Sequence, residues 1–574
     1  MQLSSMSIAV VGSGGAGSIT TGNLLLEASA RAGSYGILTR SVGPQIRGGE
    51  AAALLRLSAE PIDNIGDAYD ILLALDWKNA DRFAAELPMG PDSLIITDPD
   101  QGEIPEIISG SGAKVLELPI GKLAKSVKKG RPNMIALGLL SAILDLPRES
   151  IQSVLTRQLG SKGEQVLQAS METVDAGITA ASELPRRPLP RMNGTGDGNW
   201  MITGNQATGL GAVRGGIRFV AAYPITPATE VLEWMASALQ KVGGRLVQAE
   251  DELASVNMIT GASYGGIPSL TATSGPGLSL MMEGLGLAVA AEVPIVVVDV
   301  MRVGPSTGIA TKAEQSDLNL AIYGFHGDAP HLVVAPNSIS DCLLTAQWSV
   351  YLAEAMQVPV ILLSDQYLGQ AMAVINAPDN NTQFKAARVT ATSSDGEYQR
   401  YEVTADGVSA MAIPGTAGCQ YTADGLEHTP AGVPSTRAED HAVQMDKRLR
   451  KITAFDYGDN WAEIDGNGSQ VIITWGSTTG AVREAIRRLQ DQGVTDLRLI
   501  TIRLLLPVQP DKFKQAMTGV ERALVIEQSH SGQFYRYLQA HYDLPAATDV
   551  FHRAGPLLIR PGEAAEKIRQ WRQT

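Results

Sequence analysis

Several short clusters in the 574-residue chain carry side chains suited to chemistry on a small anionic ligand. In Tyr223-Pro224-Ile225-Thr226-Pro227, two prolines flank Ile-Thr at the end of an apolar run. They fix a rigid, extended turn that places the Thr226 hydroxyl at the carboxyl end of a strand. Ligands of open α/β sheets collect at that edge. Glu250-Asp251-Glu252 precedes a small-residue-rich helical stretch. Acids there ordinarily cap a helix and favour its dipole, which accounts for Glu250 and Asp251 and leaves one carboxylate available for acid–base work.

Ser274-Gly275-Pro276-Gly277 follows the run SLTAT. Its glycines either let backbone approach a bound group closely or make a sharp strand-to-helix connection. Arg302 stands just past VVVDVM, where a guanidinium can grip a carboxylate through paired hydrogen bonds, and Lys312 is a second candidate cation. A lone arginine after a strand is most often surface charge, so its role depends on the motif around it.

At the other end of the chain, Gly12, Gly14 and Gly17 satisfy G-x-G-x-x-G between a strand and a helix, the fingerprint of dinucleotide binding. That fingerprint also needs an acidic residue at the end of the second strand, and here YGILTR ends on Arg40. The missing carboxylate argues against NAD. The glycines then serve a tight turn and close helix–strand packing. The amides near Gly14 and Gly15 and the Arg47-Gly48-Gly49 turn also suit an anion.

The elements that position these clusters read as a multidomain α/β protein. Strands are predicted over 7–11, 35–38, 69–74, 93–97 and 114–117, making a Rossmann-like domain over 1–186. ELPRRPLPRMNGTGDGNW lacks either period and reads as an exposed linker, 187–203. A second block, 204–373, has strands over 218–222, 245–248, 269–273, 295–300, 331–334 and 358–363. Residues 374–454 read as an irregular wrapping segment, and 455–574 as a compact third α/β domain.

Composition narrows the function. Hydrophobic residues make up 44% and charged residues 18%, which fits buried parallel strands alternating with helices. A net charge of −14 speaks against nucleic acid or an anionic membrane surface as partner. No basic leader and no long apolar run are evident, so a cytoplasmic protein is expected. Cys342 and Cys419 are the only cysteines, too few for the four thiolates of an iron–sulfur cluster. The histidines, including His326 and His331 in FHGDAPH, have no metal-ligand spacing, and no protein-only metal site is expected.

The YPITP segment at 223–227, the LLLEASARAG and SVGPQIRGGEAAALLRLS runs, and GLEHTPAGVPS together resemble the alpha subunits of 2-oxoacid:ferredoxin oxidoreductases of the fused gamma–alpha type. The resemblance covers all three α/β blocks and is strongest over 204–330. It implies a gamma domain, a thiamine-diphosphate pyrimidine-binding domain and a transketolase C-terminal-like domain. By resemblance, Thr226 contacts the 2-oxoacid, Tyr223, Pro224 and Ile225 line the cofactor pocket, and Ser274, Gly275 and Gly277 bring backbone close to it. The spacing back from Gly261-Ala262 makes Glu252 the cofactor glutamate, with Glu250 in reserve. It would hydrogen-bond the pyrimidine N1′ and promote the imino tautomer that takes the thiazolium C2 proton. Arg302, by its spacing to Asp317, matches the substrate arginine, although Met301 replaces the usual preceding residue. Lys312 is also a candidate for substrate binding, and Gly14, Gly15 and Arg47 for contact with CoA.

Thiamine enzymes hold the diphosphate through Mg²⁺ on a G-D-G motif followed by an Asn-containing turn. Gly196-Asp197-Gly198 lies in the Pro/Gly-rich stretch without a preceding buried strand, and no Asn follows at the expected distance. The family arrangement therefore puts the diphosphate site, Mg²⁺ and a [4Fe-4S] cluster on a beta subunit, in a dimer of heterodimers that reduces ferredoxin. The fused N-terminal domain resembles the 2-oxoglutarate and broad 2-oxoacid members more than the single-chain pyruvate enzymes. The implied reaction is CoA-dependent oxidative decarboxylation of 2-oxoglutarate, with pyruvate or a broad range of 2-oxoacids as the alternative. Rival classes are an NAD(P)-dependent oxidoreductase, against which Arg40 argues, and a non-catalytic scaffold, against which Thr226 and Glu252 argue.

Overall fold

The computed structural model describes residues 5–43, 48–191, 198–378, 384–385, 387–394 and 396–573. The chain forms two compact units, one of Met1–Thr203, Gln370–Pro378 and Ile559–Ala564, the other of Gly204–Gly369, Asp379–Leu558 and Ala565–Thr574. Among the described residues there are three sheets, of eight, seven and five strands. No helix among them is long and apolar enough to cross a membrane.

In the first unit the strand order is Lys114–Glu117, Leu94–Thr97, Ile71–Ala74, Ser5–Ser13, Glu50–Ser58, Tyr35–Val42, Met372–Ile375, Trp200–Thr203. Met6, Ile8 and Val10 face one core, and Ala9 and Val11 face another, the alternation of a strand covered on both sides. Glu50–Ser58 lies outside the predicted strands, because its alanines and leucines read equally as helix. It runs antiparallel between Ser5–Ser13 and Tyr35–Val42, with an extended register on each side. The sheet is therefore mixed. The end of the second strand is one strand removed from the glycine turn, a second reason why no nicotinamide fingerprint is completed here.

The stretch expected as an exposed linker differs from expectation at both ends. Leu189 is buried, the amides of Arg187 and Leu189 donate to the carbonyls of Ile143 and Leu144, and the Arg187 guanidinium donates to the carbonyls of Asp70 and Asp92. Side-chain-to-backbone bonds of this kind leave no periodicity to read. Farther along, Trp200–Thr203 is a strand paired with Met372–Ile375.

The second unit carries the predicted central strands to within two residues at each end. The order is Leu504–Leu506, Leu332–Val334, Val360–Asp365, Val296–Met301, Ser269–Thr273, Phe219–Ala222, Arg245–Gln248. All are parallel except Leu504–Leu506, which leaves the C-terminal block to pair antiparallel with Leu332–Val334. That block forms its own sheet, in the order Ala462–Asp465, Leu497–Ile502, Gln470–Thr474, Arg522–Glu527, Ala547–His552. One continuous apolar core joins the two sheets, from Val220 and Val298 to Ile473 and Val525. The third domain is thus not a separate core.

The segment 374–454 differs from the irregular expectation at both ends, opening in strand Met372–Ile375 and closing in the helix Ala438–Thr453, and its described residues between these form neither helix nor strand. A buried ion cluster fastens it. Glu292 is fully buried and accepts from Lys447 Nζ at 2.6 and 2.8 Å and from Lys451 Nζ at 3.0 Å, while its carbonyl accepts from Arg400 at 2.8 Å. Burial alone would raise the Glu292 carboxyl, but Lys451, Lys447 and Arg400 hold it well below its ordinary value. Burial lowers Lys451 to about 7. Removing one partner of a buried charge cluster typically costs about 3–5 kcal/mol. We predict that Glu292→Ala, which strands the two lysine ammonium groups, lowers the thermal unfolding midpoint markedly and exposes the 384–437 segment to protease. An unchanged midpoint would contradict this role.

Candidate active site

Arg245–Gln248, Phe219–Ala222, Ser269–Thr273 and Val296–Met301 are consecutive, parallel neighbours in the central sheet. Segments that follow them leave along one edge. Those segments are Glu250 to Glu252, Tyr223 to Pro227, Ser274 to Gly277, and Arg302, so clusters far apart in sequence converge.

The three acids separate by position. Glu250 is exposed, and Asp251 is the N-cap of helix Glu252–Tyr264, its carboxylate accepting from the Ala254 amide at 2.7 Å. Glu252 turns inward and is 7% exposed. Its carboxylate has no hydrogen-bond or ion-pair partner among the described residues.

The glycine turn makes room for that carboxylate. A Cβ on Gly277 would lie 2.1 Å from Thr273 Oγ1 and 2.7 Å from Glu252 Oε1. A Cβ on Gly275 would lie 2.6 Å from Asp317 Oδ2. The space expected for a bound group is thus occupied at these two positions by the protein's own acids. Ser274, between strand and helix, is fully buried, and its hydroxyl is unpartnered among the described residues.

Arg302 and Thr226 meet directly. The Arg302 guanidinium donates to the Thr226 carbonyl at 2.6 Å, and the Asn205 amide donates to the Pro227 carbonyl at 3.0 Å, which together hold the proline turn. The Thr226 side chain stays exposed, as does Tyr223. Arg302 Nε is buried without a partner among the described residues. Burial pushes the guanidinium down from its ordinary value, against the opposing charges of Asp317 and Asp299.

Two acids lie behind Arg302. Asp299 is fully buried, with neither oxygen partnered among the described residues. Burial, then Asp317, push its carboxyl well above the usual range. Asp317 is raised to about 7 by burial and by Glu314, with Arg302 opposing. A carboxylate inside the apolar run VVVDV is a signal that the sequence reading passed over.

A cleft of about 670 Å³ opens beside Arg302, lined also by Gly275, Ser279, Ser306, Asp317 and His530. Gln315, between the lining residues Glu314 and Ser316, went unrecognised in the sequence. Its side chain accepts from the Gln528 amide at 2.9 Å and donates to the Trp475 carbonyl at 2.8 Å, and its own amide donates to the Gln528 carbonyl at 2.8 Å. Trp475-Gly476 and the Gln528 turn therefore act as a clasp for the loop that bears Arg302 and Asp317.

Other candidates fall elsewhere. Lys312 is tied by its carbonyl to the Val303 amide and does not line the cleft. In the first unit, the Gly14 amide donates to the Gly49 carbonyl and the Gly14 carbonyl accepts from Gly48, so Gly14 has no free amide for an anion. Gly15, at φ 104°, faces open space. Gly17 packs against Asn133, which leaves 2.8 Å for a Cβ. Arg47 lies outside the described residues, as do Gly196 and Asp197. Both ring nitrogens of the buried His331 face backbone carbonyls, of Ala329 and Ala321. Among the described residues no group of three or more His, Cys, Asp or Glu could hold a metal ion.

Residues 210–447 match the family model described as "Pyruvate flavodoxin/ferredoxin oxidoreductase, thiamine diP-bdg", and residues 7–180 that described as "Pyruvate ferredoxin/flavodoxin oxidoreductase". The chain is 31% identical to 2-oxoacid:ferredoxin oxidoreductase 2, subunit alpha, of Aeropyrum pernix, over 77% of this chain and 73% of that protein. It is 33% identical to the 2-oxoglutarate synthase subunit KorA of Methanothermobacter marburgensis, over 64% of this chain and 98% of that subunit. A solved 2-oxoglutarate:ferredoxin oxidoreductase from Magnetococcus marinus, with 2-oxoglutarate, coenzyme A and succinyl-CoA bound, superposes with a TM-score of 0.91. That match has 36% identity and covers 99% of this chain and 100% of the other. The architecture is accordingly an N-terminal gamma-like domain and a thiamine-diphosphate-binding domain, followed by a C-terminal α/β block with its own five-stranded sheet.

The packing at Gly277 makes a prediction. Gly277→Ala should leave the fold intact and displace the Glu252 side chain, visible in a crystal structure of the variant. An undisturbed Glu252 there would contradict the role given to the glycine.

Proposed function

The chain belongs to the 2-oxoacid:ferredoxin oxidoreductases, as a gamma-plus-alpha-type subunit of an enzyme, and from that premise we propose that it converts 2-oxoglutarate and CoA reversibly to succinyl-CoA and CO₂. The electron pair released would pass to oxidised ferredoxin. The observation that carries this reading is the Glu252 carboxylate, largely buried against Gly277 and without a partner among the described residues, on the strand edge that also presents Thr226 and Arg302. Pyruvate, named by both family descriptions, is the second reading.

The residues fit thiamine diphosphate. A largely buried carboxyl group is stable when a polar partner shares a proton with it, and the pyrimidine N1′ is such a partner. Glu252 would hold that proton in place. Tyr223, Pro224 and Ile225 would wall the ring, and the buried Ser274 hydroxyl is free to serve it. Arg302 and Thr226 would orient the carboxylate of the 2-oxoacid, Arg302 by charge and Thr226 by its hydroxyl. Thiamine diphosphate, when bound, supplies the electron sink for loss of CO₂.

The remaining parts would come from a beta-type partner, namely the diphosphate site with Mg²⁺, the [4Fe-4S] cluster and the route to ferredoxin, in a dimer of heterodimers. Two features support this. Both cysteines are buried and distant in sequence, and Tyr223, Leu253 and Leu280, which flank Glu252 and the glycine turn in sequence, are 42%, 50% and 51% exposed. Apolar side chains left open around an active carboxylate suit coverage by another chain. A cytoplasmic location is consistent with the absence of a membrane-crossing helix among the described residues.

CoA would use the first unit. A cleft of about 650 Å³ there is lined by Gly15, Gly17 and Thr20 at the start of helix Ser18–Arg31, and by Lys129, Arg131 and Lys162. The helix terminus and the three cations suit a phosphate-bearing ligand. Gly14 is better regarded as the brace of this turn than as a ligand. Arg47 would add a further cation.

Two experiments test the proposal. The chain expressed with its partner should support viologen reduction dependent on both 2-oxoglutarate and CoA, and the isolated chain should not. Full activity of the isolated chain would contradict the shared site. In the complex, Glu252→Gln should lower kcat by about 10²–10⁴, the range for losing a positioned acid–base group, with KM for the 2-oxoacid little changed. Unchanged turnover would move the role to Glu250.

A further inference from the structure

A dicarboxylate such as 2-oxoglutarate differs from pyruvate by a second carboxylate at the far end of its chain. Burying that charge costs several kcal/mol unless a donor or cation meets it. With Arg302 at one end, a second group must stand across the same cleft.

The cleft beside Arg302 has walls from two parts of the second unit. On one side are Gly275, Pro276 and Ser279 of the glycine turn and Ser306 of the loop after Val296–Met301. On the other are His530, Ser531 and Gln533, from the turn after strand Arg522–Glu527. The second wall is anchored, since Gln533 Nε2 donates to the Ser316 carbonyl at 2.8 Å and Gln533 Oε1 accepts from the Asn319 amide at 2.9 Å. At about 670 Å³ the space is ample for a five-carbon diacid, within the usual range of small-molecule pockets.

Its lining holds acids as well as bases. Glu314 is buried and accepts from the Gly555 amide at 3.0 Å. Asp317 has its carboxyl pushed up to about 7 by burial and by Glu314. Among the described residues that line the cleft, the basic side chains are Arg302 and His530 alone. Arg302 is partly committed to Thr226. The His530 imidazole is exposed and makes no hydrogen bond to a described residue.

We propose that His530 is the specificity-determining residue that receives the distal carboxylate of a dicarboxylate 2-oxoacid, across the cleft from Arg302. The inference rests on the 2-oxoglutarate reading above. Histidine suits the task because a ring N–H can donate to a carboxylate oxygen and the ring can carry charge. Ser306 and Ser531 supply hydroxyls that can complete the acceptor's coordination. A monocarboxylate would leave this end of the cleft to water.

The test uses the assembled complex, with KM measured for 2-oxoglutarate, 2-oxobutyrate and CoA. His530→Leu should raise KM for 2-oxoglutarate by about ten- to a hundredfold, the loss expected for a charge-assisted hydrogen bond, and leave the other two within about twofold. His530→Lys, which restores a cation, should recover most of the loss. A rise shared equally by the two 2-oxoacids, no rise at all, or a rise confined to CoA would overturn the assignment. Wild-type complex that turns over 2-oxobutyrate but not 2-oxoglutarate would instead sink the dicarboxylate reading, and His530's role with it.

Discussion

A buried carboxylate with no donor is the constraint around which the second unit is arranged. Glu252 is packed beside Gly277, where a Cβ would lie 2.7 Å from its Oε1, and the helix cap is left to its neighbour Asp251. Desolvating such a group is unfavourable unless a hydrogen bond arrives from outside the chain. The pyrimidine N1′ of thiamine diphosphate, which would share a proton with the carboxyl, is a partner of the right kind. The same logic extends along the strand edge, where Ser274, Asp299 and Arg302 keep buried polar atoms unpartnered among the described residues. At Glu292, by contrast, a buried carboxylate is paired by two ammonium groups of the chain itself.

That tolerance depends on rigidity around the site. Gln315 ties the loop carrying Arg302 and Asp317 to Trp475 and Gln528 through three hydrogen bonds. Asn337 reinforces it, accepting from the Gly476 amide at 3.1 Å. The C-terminal sheet therefore contributes to the active site without supplying its reacting groups. It holds one wall of the cleft and shares the central apolar core. Behind the site, Lys447, Lys451 and Arg400 draw the wrapping segment onto Glu292, immediately beyond helix Gly275–Ala290.

Much of this was legible in the residues. Parallel, doubly covered strands announce themselves as short apolar runs, so the central strands fell within two residues of prediction. Their adjacency did not, since no periodicity orders strands within a sheet. Proline geometry pointed to Thr226 at a strand end, and the three acids differ in placement, Glu252 buried between an exposed Glu250 and a capping Asp251. What stayed hidden depends on long-range pairing. Glu50–Ser58 is a strand because neighbours pair with it on both sides, and residues 184–191 are held by bonds from arginine to distant carbonyls. Gln315 and His530 carry no local pattern at all. The Gly14 amide looked free for an anion until the loop at 48–49 was seen to take it.

The central claim is that this chain holds the pyrimidine half of a shared cofactor. A structure of the complex with thiamine diphosphate bound tests it most directly. Expected is a Glu252 carboxylate within hydrogen-bonding distance of N1′, with the diphosphate and Mg²⁺ held by the partner subunit. A diphosphate held by this chain, or a Glu252 turned away from the pyrimidine, would contradict it.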